Sequence, residues 1–347
     1  MEIISRRVDL ELVRTWTIAR GSAESIPVVV TEITTCEGVR GLGEASPISR
    51  YGESVETVEN FLRRVDPARL SCRDIAGSMT YLNTLSPHDM AAKCAVNLAL
   101  VDAAGRDAKQ AVYDQLGLGF REGVHVTSFS IGIDSPAVIR EKVLAAAEYP
   151  VLKLKVGVPD DHLMVSALRE VAPKKPIRVD ANEGWLTKEE ALKRIEWLAA
   201  DGKVQFVEQP MPAKTPVVDL VWLKERSPLP LFADESYHTA ADVEHCAQCF
   251  HGVNVKLAKT AGVTGAFEAL KAARAKGLKT MIGCMIETSV LISAAAHLSE
   301  LADHLDLDGN LLIKNDPYAG VTAPRGVLSF ASAPETSGLR VRVRNSR

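Results

Sequence analysis

The chain has 347 residues, of which 46% are hydrophobic and 24% charged, a composition that excludes a disordered, collagenous or coiled-coil protein and supplies a sizeable core. Lys and Arg number 41 against 44 Asp and Glu, a formal net charge of -3, and no basic stripe carries interleaved aromatics. Nucleic acid and anionic membrane surfaces are therefore not expected as partners. The length predicts two domains, or one large α/β domain with a smaller attachment.

The opening MEIISRRVDLELV has two arginines but no apolar stretch behind them, and no run reaches the roughly 18 apolar residues of a membrane span, so a cytoplasmic location is expected. Cys36, Cys72, Cys94, Cys246, Cys249 and Cys284 are too widely spread for a small disulfide-stapled domain and are predicted to be reduced thiols. Cys246 and Cys249 form a CxxC without a second pair for zinc, and ADVEHCAQCF around them reads as a helix rather than a redox turn.

In chain order, the first 120 residues read as a small α+β unit. Apolar, β-branched runs at Ile26 to Ile33 and Val39 to Ala45, joined by the turn-like CEG at 36 to 38, predict a hairpin. A helix is predicted to begin at Ser86 as N-cap with Pro87 in its first position, since Met90, Cys94, Leu98 and Val101 recur at helical spacing. A second short helix carries Val112 and Leu116, and the glycines of LGLGFREG at 116 to 123 mark a domain boundary.

From Val124 onward short apolar runs alternate with helical stretches: VHVTSFSI, VLKLKV, PIRVDA, VQFVEQ, LPLFADE, GVNVKL, LKTMIG and HLDLDG, which makes eight predicted strands. The polar residues closing the runs, Lys155, Asp180, Glu208, Asp234, Lys256, Cys284 and Asp306, follow at steps of 22 to 28, one βα unit each. The predicted fold class is α/β, a parallel (β/α)₈ barrel of TIM type carrying its charged groups at the C-terminal strand ends. A doubly wound open sheet competes, but no glycine-rich nucleotide loop follows an early strand.

Asp180, Glu208 and Asp234 close strands three, four and five, which are neighbours around a barrel. Three converging carboxylates repel one another unless a cation lies between them, and an all-oxygen set selects a hard divalent ion, Mg²⁺ first. Lys153 and Lys155, at i and i+2 on strand two, face the same side, and Lys256 closes strand six on the opposite wall. A carbon acid held between two such lysines can lose a proton to one and regain it from the other on the opposite face, inverting its stereocentre. Cations nearby are expected to lower the lysine pKa values. Asp306 and Asp308, again i and i+2, point inward on the last strand, outside the metal cluster, and suit an ammonium group.

The motifs KLK at 153 to 155, DAN at 180 to 182, VEQP at 207 to 210, ADES at 233 to 236 and NVKLAKT at 254 to 260 resemble the enolase superfamily. They are similar to its muconate-lactonizing subgroup, while GCMIETS at 283 to 289 and DLDG at 306 to 309 resemble the dipeptide epimerases, those acting on L-Ala-D/L-Glu foremost. Segments TIARGSAES and GLGEASPISRYGES resemble that family's capping loops, around residues 17 to 25 and 47 to 54, and the sequence has KTAG at 259 to 262 where KTGG is frequent.

The resemblance implies an isomerase with one Mg²⁺ per subunit, Lys155 and Lys256 as acid/base catalysts, and Asp180, Glu208 and Asp234 as metal ligands, in keeping with the superfamily's Lys or His base working beside Mg²⁺. It further implies that Asp306 and Asp308 hold the dipeptide ammonium, that Lys153 supports the substrate carboxylate, that the Cys284 to Ile286 backbone contacts the peptide, that Ser130 lies near the substrate, and that Arg20 pairs with a glutamyl side chain. It divides the chain into a capping domain (1–120), a barrel (121–325) and a C-terminal segment returning toward the cap (326–347), with a homo-oligomer expected by fold analogy. An o-succinylbenzoate synthase or muconate cycloisomerase would use the same lysines and metal but has no ammonium to bind. A Schiff-base aldolase would leave the three carboxylates without a role, and a non-catalytic binding protein would keep destabilising buried charges without use.

Overall fold

The computed structural model describes residues 1–344. Its N-terminal sheet is antiparallel, in the order β1 (Glu2–Ile18), β2 (Gly21–Thr34), β3 (Arg40–Ala45). The hairpin expected from the sequence is β2 with β3, turned at Gly38, whose φ of 82° favours glycine. The sequence reading did not identify β1. Most of this strand is exposed and only Leu10 and Leu12 are fully buried, so charged residues break up the alternation that marks a strand.

Helices α1 (Val55–Leu62), α2 (Ile75–Leu85), α3 (Met90–Ala108) and α4 (Val112–Gln115) complete this unit. The helix predicted to begin at Ser86 begins at Met90. Ser86 instead ends α2, and its hydroxyl accepts from the His88 N–H in a local turn. The start of α3 is capped from far away in the chain: Glu53 Oε1 accepts the Ala91 N–H at 3.0 Å. Local sequence offers no sign of such a cap.

Helix α3 packs its small residues on β3. A Cβ on Gly43 would lie 1.9 Å from the Ala95 carbonyl oxygen, and one on Gly41 would lie 2.0 Å from that of Ala99. Replacing Gly43 by alanine is therefore expected to destabilise the protein by about 1–3 kcal/mol, the usual range for overpacking. Thermal denaturation checks this, and a melting temperature equal to that of the wild type would contradict the close packing.

The second unit is a parallel sheet of β4 (Phe129–Ile131), β5 (Leu152–Lys155), β6 (Ile177–Asp180), β7 (Val204–Glu208), β8 (Leu231–Ala233), β9 (Gly252–Val255), β10 (Lys279–Gly283) and β11 (His304–Asp306), paired in chain order. All eight predicted strands are present, the first shortened to its last three residues. Strand eight meets strand one through a parallel bridge between Thr127 and Leu305, and the Ser128 N–H donates to the Leu305 carbonyl at 3.0 Å, closing the barrel.

Seven helices cross over between the strands: α5 (Pro136–Ala145), α6 (Asp161–Val171), α7 (Lys188–Ala200), α8 (Val217–Arg226), α9 (Val243–Cys249), α10 (Val263–Ala275) and α11 (Ser289–Ala296). Both residues of the CxxC lie buried in α9, and all six cysteines are free thiols. No α-helix follows β11 among the described residues. After a 3₁₀ turn at Gly309–Leu311 the chain runs back along β1, where the Lys314 N–H donates to the Glu11 carbonyl at 2.8 Å.

Buried Asp102 of α3 joins three segments, accepting from the Leu42 N–H of β3 at 2.9 Å, the Leu339 N–H at 2.7 Å and Arg106 Nε at 2.9 Å. The chain past residue 326 thus packs against α3, while residues 345–347 of the predicted C-terminal segment lie outside the described residues. Inside the barrel, Phe206, Phe232 and Met281 form an apolar cluster beneath the charged strand ends, with Arg178 and His304 packed against Phe206. No helix among the described residues is long and apolar enough to cross a membrane.

Candidate active site

Above that apolar cluster, Asp180, Glu208 and Asp234 each present an oxygen within 4.8 Å of the others, and all three are buried. Their strands are adjacent, and the Ala181 N–H bonded to the Glu208 carbonyl at 3.1 Å locks the first two in register. Burial, then Asp180, pushes the Glu208 carboxyl up to about 8. Burial acts the same way on Asp180 and Asp234, but the lysines beside them outweigh it and hold both below the usual carboxylate range. Glu208 Oε2 lies 2.8 Å from Lys153 Nζ without a hydrogen bond from it. An all-oxygen set of three buried, converging carboxylates fits a hard divalent cation.

The lysines enclose this cluster. Lys155 Nζ is 2.7 Å from Asp180 Oδ2, and across the barrel Lys256 Nζ is 2.7 Å from Asp234 Oδ2. Lys153 is only 1% exposed and lies 2.7 Å from Asp306 Oδ2 and 3.2 Å from Asp180 Oδ2. Burial would lower the pKa of Lys153, but Asp306, Glu208 and Asp180 outweigh it and hold the ammonium well above its ordinary value. Lys256 is raised likewise, since Asp234 outweighs burial. The direction for Lys256 is opposite to the sequence expectation, because carboxylates are its nearest neighbours.

Asp306 and Asp308 point inward as expected, but each is partly engaged. Asp306 Oδ1 accepts from the Ser128 hydroxyl at 2.6 Å and the Ser130 hydroxyl at 3.4 Å, and Asp308 Oδ2 accepts the Ser130 N–H at 2.6 Å. Lys153 holds Asp306 below its usual range against the effect of burial, whereas burial and Asp306 push Asp308 up to about 7. Lys153, Lys155, Lys256, Ser130, Cys284, Ile286, Asp306, Asp308 and Arg20 all border one cavity of about 450 Å³, roofed by Trp16, Ile18 and Ile48 of the N-terminal unit.

Arg20, in the turn between β1 and β2, is 33% exposed and donates through Nη1 to Glu235 Oε1 at 2.7 Å and to the Asn182 carbonyl at 2.9 Å. Its other nitrogens make no hydrogen bond to the described residues. Several polar groups here were not read from the sequence: Lys259, 2.6 Å from Asp234 Oδ1; Asn254, donating to Glu208 Oε1 at 2.7 Å; Glu235; and Arg50 with Glu183. Lys259 and Glu235 sit inside the quoted motifs, whereas Arg50 and Glu183 are 133 residues apart in the chain and meet only through the fold.

The loop from Cys284 to Ile286 is held by two further buried carboxylates. Glu287 Oε1 accepts the Met285 N–H at 3.0 Å, and Glu44 of β3 accepts the Thr288 N–H at 2.9 Å and the Thr288 hydroxyl at 2.6 Å. Burial first, and charge from neighbouring carboxylates second, raises Glu44 from an ordinary 4.5 to about 7 and Glu287 to about 8. Between those values the native state binds more protons than the unfolded state. The stabilisation is complete at low pH and lost as pH rises through about 7 to 8. Glu287→Gln is expected to flatten the fall in melting temperature between about pH 4.5 and 8; a fall as steep as in the wild type would contradict this assignment.

Residues 2–117 match the mandelate racemase / muconate lactonizing enzyme N-terminal domain, and residues 138–344 match the enolase C-terminal domain-like family. The chain is 60% identical over 339 residues to an L-Ala-D/L-amino acid epimerase from Pedosphaera parvula, covering 97% of this chain and 98% of that one. It is 41% identical over 335 residues to an L-Ala-D/L-Glu epimerase from Bacteroides thetaiotaomicron, covering 96% and 86%. Its fold superposes on a dipeptide epimerase from Enterococcus faecalis complexed with Mg and L-Leu-L-Tyr, with a TM-score of 0.89, 30% identity and 98% of both chains covered. On the substrate-liganded L-Ala-D/L-Glu epimerase from Bacillus subtilis the TM-score is 0.90 at 28% identity, over 98% of this chain and 97% of that one. A closed parallel barrel under an antiparallel cap, both matched by their family models, makes this chain a member of the enolase superfamily, in its mandelate racemase / muconate lactonizing branch.

Proposed function

We propose that the protein is a Mg²⁺-dependent dipeptide epimerase, inverting the α-carbon of the C-terminal residue, with L-Ala-D/L-Glu the first substrate to test. The observation that carries this reading is the placement of Lys155 and Lys256 on opposite walls of one cavity that the paired aspartates also line, each lysine 2.7 Å from a carboxylate of the buried cluster. The relatives named above, acting on L-Ala-D/L-amino acid and L-Ala-D/L-Glu dipeptides, support it.

In this reading Asp180, Glu208 and Asp234 would hold the cation, whose Lewis acidity would stabilise charge developing on the substrate carboxylate. One lysine takes the α-proton, while Lys153, kept charged by its three carboxylates, faces the negative charge that develops on the substrate carboxylate. The second lysine then delivers a proton to the opposite face. Asp306 and Asp308 grip the peptide ammonium, Ser130 orients Asp308, and the backbone from Cys284 to Ile286 follows the peptide. The two unpartnered nitrogens of Arg20 suit a side-chain carboxylate. Residues 1–120 form the cap, 121–325 the barrel, and the described residues after 325 return to the cap.

Incubation with Mg²⁺ in D₂O across a panel of L-Ala-L-Xaa dipeptides, followed by mass spectrometry, tests the reaction. Exchange of the α-proton with epimerisation is expected; absence of exchange with every dipeptide would sink the reading. Asp308→Asn is expected to raise KM about tenfold or more, the effect of weakening a hydrogen bond to a charged group, without changing Mg²⁺ affinity. Unchanged kinetics in that variant would favour a substrate lacking an ammonium, such as o-succinylbenzoate chemistry uses.

A further inference from the structure

We infer that Glu183 is a positioning residue through which closure of the capping loops sets the arrangement of the metal carboxylates, an inference that rests on the metal site of the reading above. Glu183 lies three residues beyond Asp180. Both it and Asn182 adopt left-handed backbone conformations, with φ of 69° and 44°, which favour glycine and persist in other residues only where surrounding contacts enforce them.

The contacts that enforce them come from three segments. Glu183 Oε2 accepts from Arg50 Nε and Oε1 from Arg50 Nη2, both at 2.8 Å, a two-point grip by the loop that precedes α1. Oε1 also accepts the Ala213 N–H at 2.8 Å, from the loop after β7, and Arg20 Nη1 approaches Oε2 at 3.4 Å from the turn between β1 and β2. The Glu183 N–H donates to the Gln209 carbonyl at 2.9 Å. The carboxylate is only 9% exposed, so losing Arg50 would leave a buried charge short of its strongest partner.

From this junction short connections run to all three metal carboxylates. The Asn182 N–H donates to Asp180 Oδ1 at 2.9 Å. Gln209 follows Glu208 directly, and its Oε1 accepts the Asp234 N–H at 3.0 Å. Gln209 itself has a φ of 34°, so the junction is strained at both ends. On the other side, the hydrogen bonds of Arg50 all go to Glu183, which makes this carboxylate the latch of the capping loop. When the latch opens, the Asn182–Glu183 turn loses its restraint and the carboxylates lose their spacing. Linkage makes the coupling reciprocal: a bound cation favours the closed loop.

Mn²⁺ affinity, read by electron paramagnetic resonance, and tryptic cleavage after Arg50 test this on the full chain, and neither needs a dipeptide. In the wild type, saturating Mn²⁺ is expected to slow cleavage after Arg50 about tenfold, within the usual range of coupling. Glu183→Gln is expected to weaken Mn²⁺ binding about tenfold and to abolish that protection. Arg50→Met is expected to weaken Mn²⁺ binding similarly, with the double variant no worse than either alone. Unchanged Mn²⁺ affinity in folded Glu183→Gln, losses that multiply in the double variant, or no protection by Mn²⁺ in the wild type would each overturn the inference. Should Glu183→Gln not fold, Arg50→Met alone decides it, because that arginine is 32% exposed at the surface. A wild type that exchanged no dipeptide proton would count against the epimerase reading and leave these two readouts in force.

Discussion

Replacement of Lys155 by alanine is expected to abolish inversion while one of the two epimers still exchanges its α-proton with solvent. Lys256 remains on its own wall. It can take the proton from the epimer whose Cα–H points toward it and return a deuteron to the same face, so that epimer exchanges with retention. Lys256→Ala is expected to show the mirror result, exchange confined to the other epimer. Inversion needs both lysines and should fall by about 10²–10⁴ in either variant, the usual contribution of one acid/base group. Each lysine touches a different carboxylate, Asp180 or Asp234, so neither substitution disturbs the other's partner. The measurement is α-deuteration of separate L,L and L,D dipeptides together with chiral analysis. Two variants exchanging the same epimer, or either keeping full inversion, would contradict the two-wall geometry.

The second large effect concerns the cation. Chelation is expected to stop exchange, and Mg²⁺ to restore it. Because the carboxylates converge only in the folded chain, Mg²⁺ at a hundred times its Kd should stabilise the protein by about 2.7 kcal/mol, visible as a rise in melting temperature. Glu208→Gln should lose that rise. The amide oxygen can still accept from Asn254 Nδ2, which bonds Glu208 Oε1 at 2.7 Å, so that contact is kept while the ligand is lost. Calorimetry with and without Mg²⁺ decides the point, and a Mg²⁺-dependent shift retained in the variant would remove Glu208 from the ligand set.

Much of this was legible before the fold was known. The barrel showed itself because each βα unit repeats the same order: an apolar run buried on both faces, a polar residue at its end, then a helix. The metal carboxylates were legible for the same reason, since adjacent strands in a parallel barrel bring their ends together. Strand β1 was not, because its exposed face carries charges where alternation would be sought. The start of α3 was misplaced at Ser86, since its cap is Glu53, which no local pattern links to it.

The site shows the same division. The positions of Asp180, Glu208, Asp234, Lys153, Lys155 and Lys256 at strand ends follow from sequence periodicity, because a strand's two-residue repeat fixes which side chains face inward. What those charges do to one another depends on distances that only the closed barrel supplies. Asp306 meets Lys153 across 153 residues of chain, and Arg50 meets Glu183 across 133. The sequence by itself determined the fold class, the strand ends and the kinds of chemical group they carry. Only the tertiary structure decided which charges pair, which way their protonation shifts, and how the cap is latched, since Coulomb and desolvation energies depend on separations and burial that no spacing along the chain encodes.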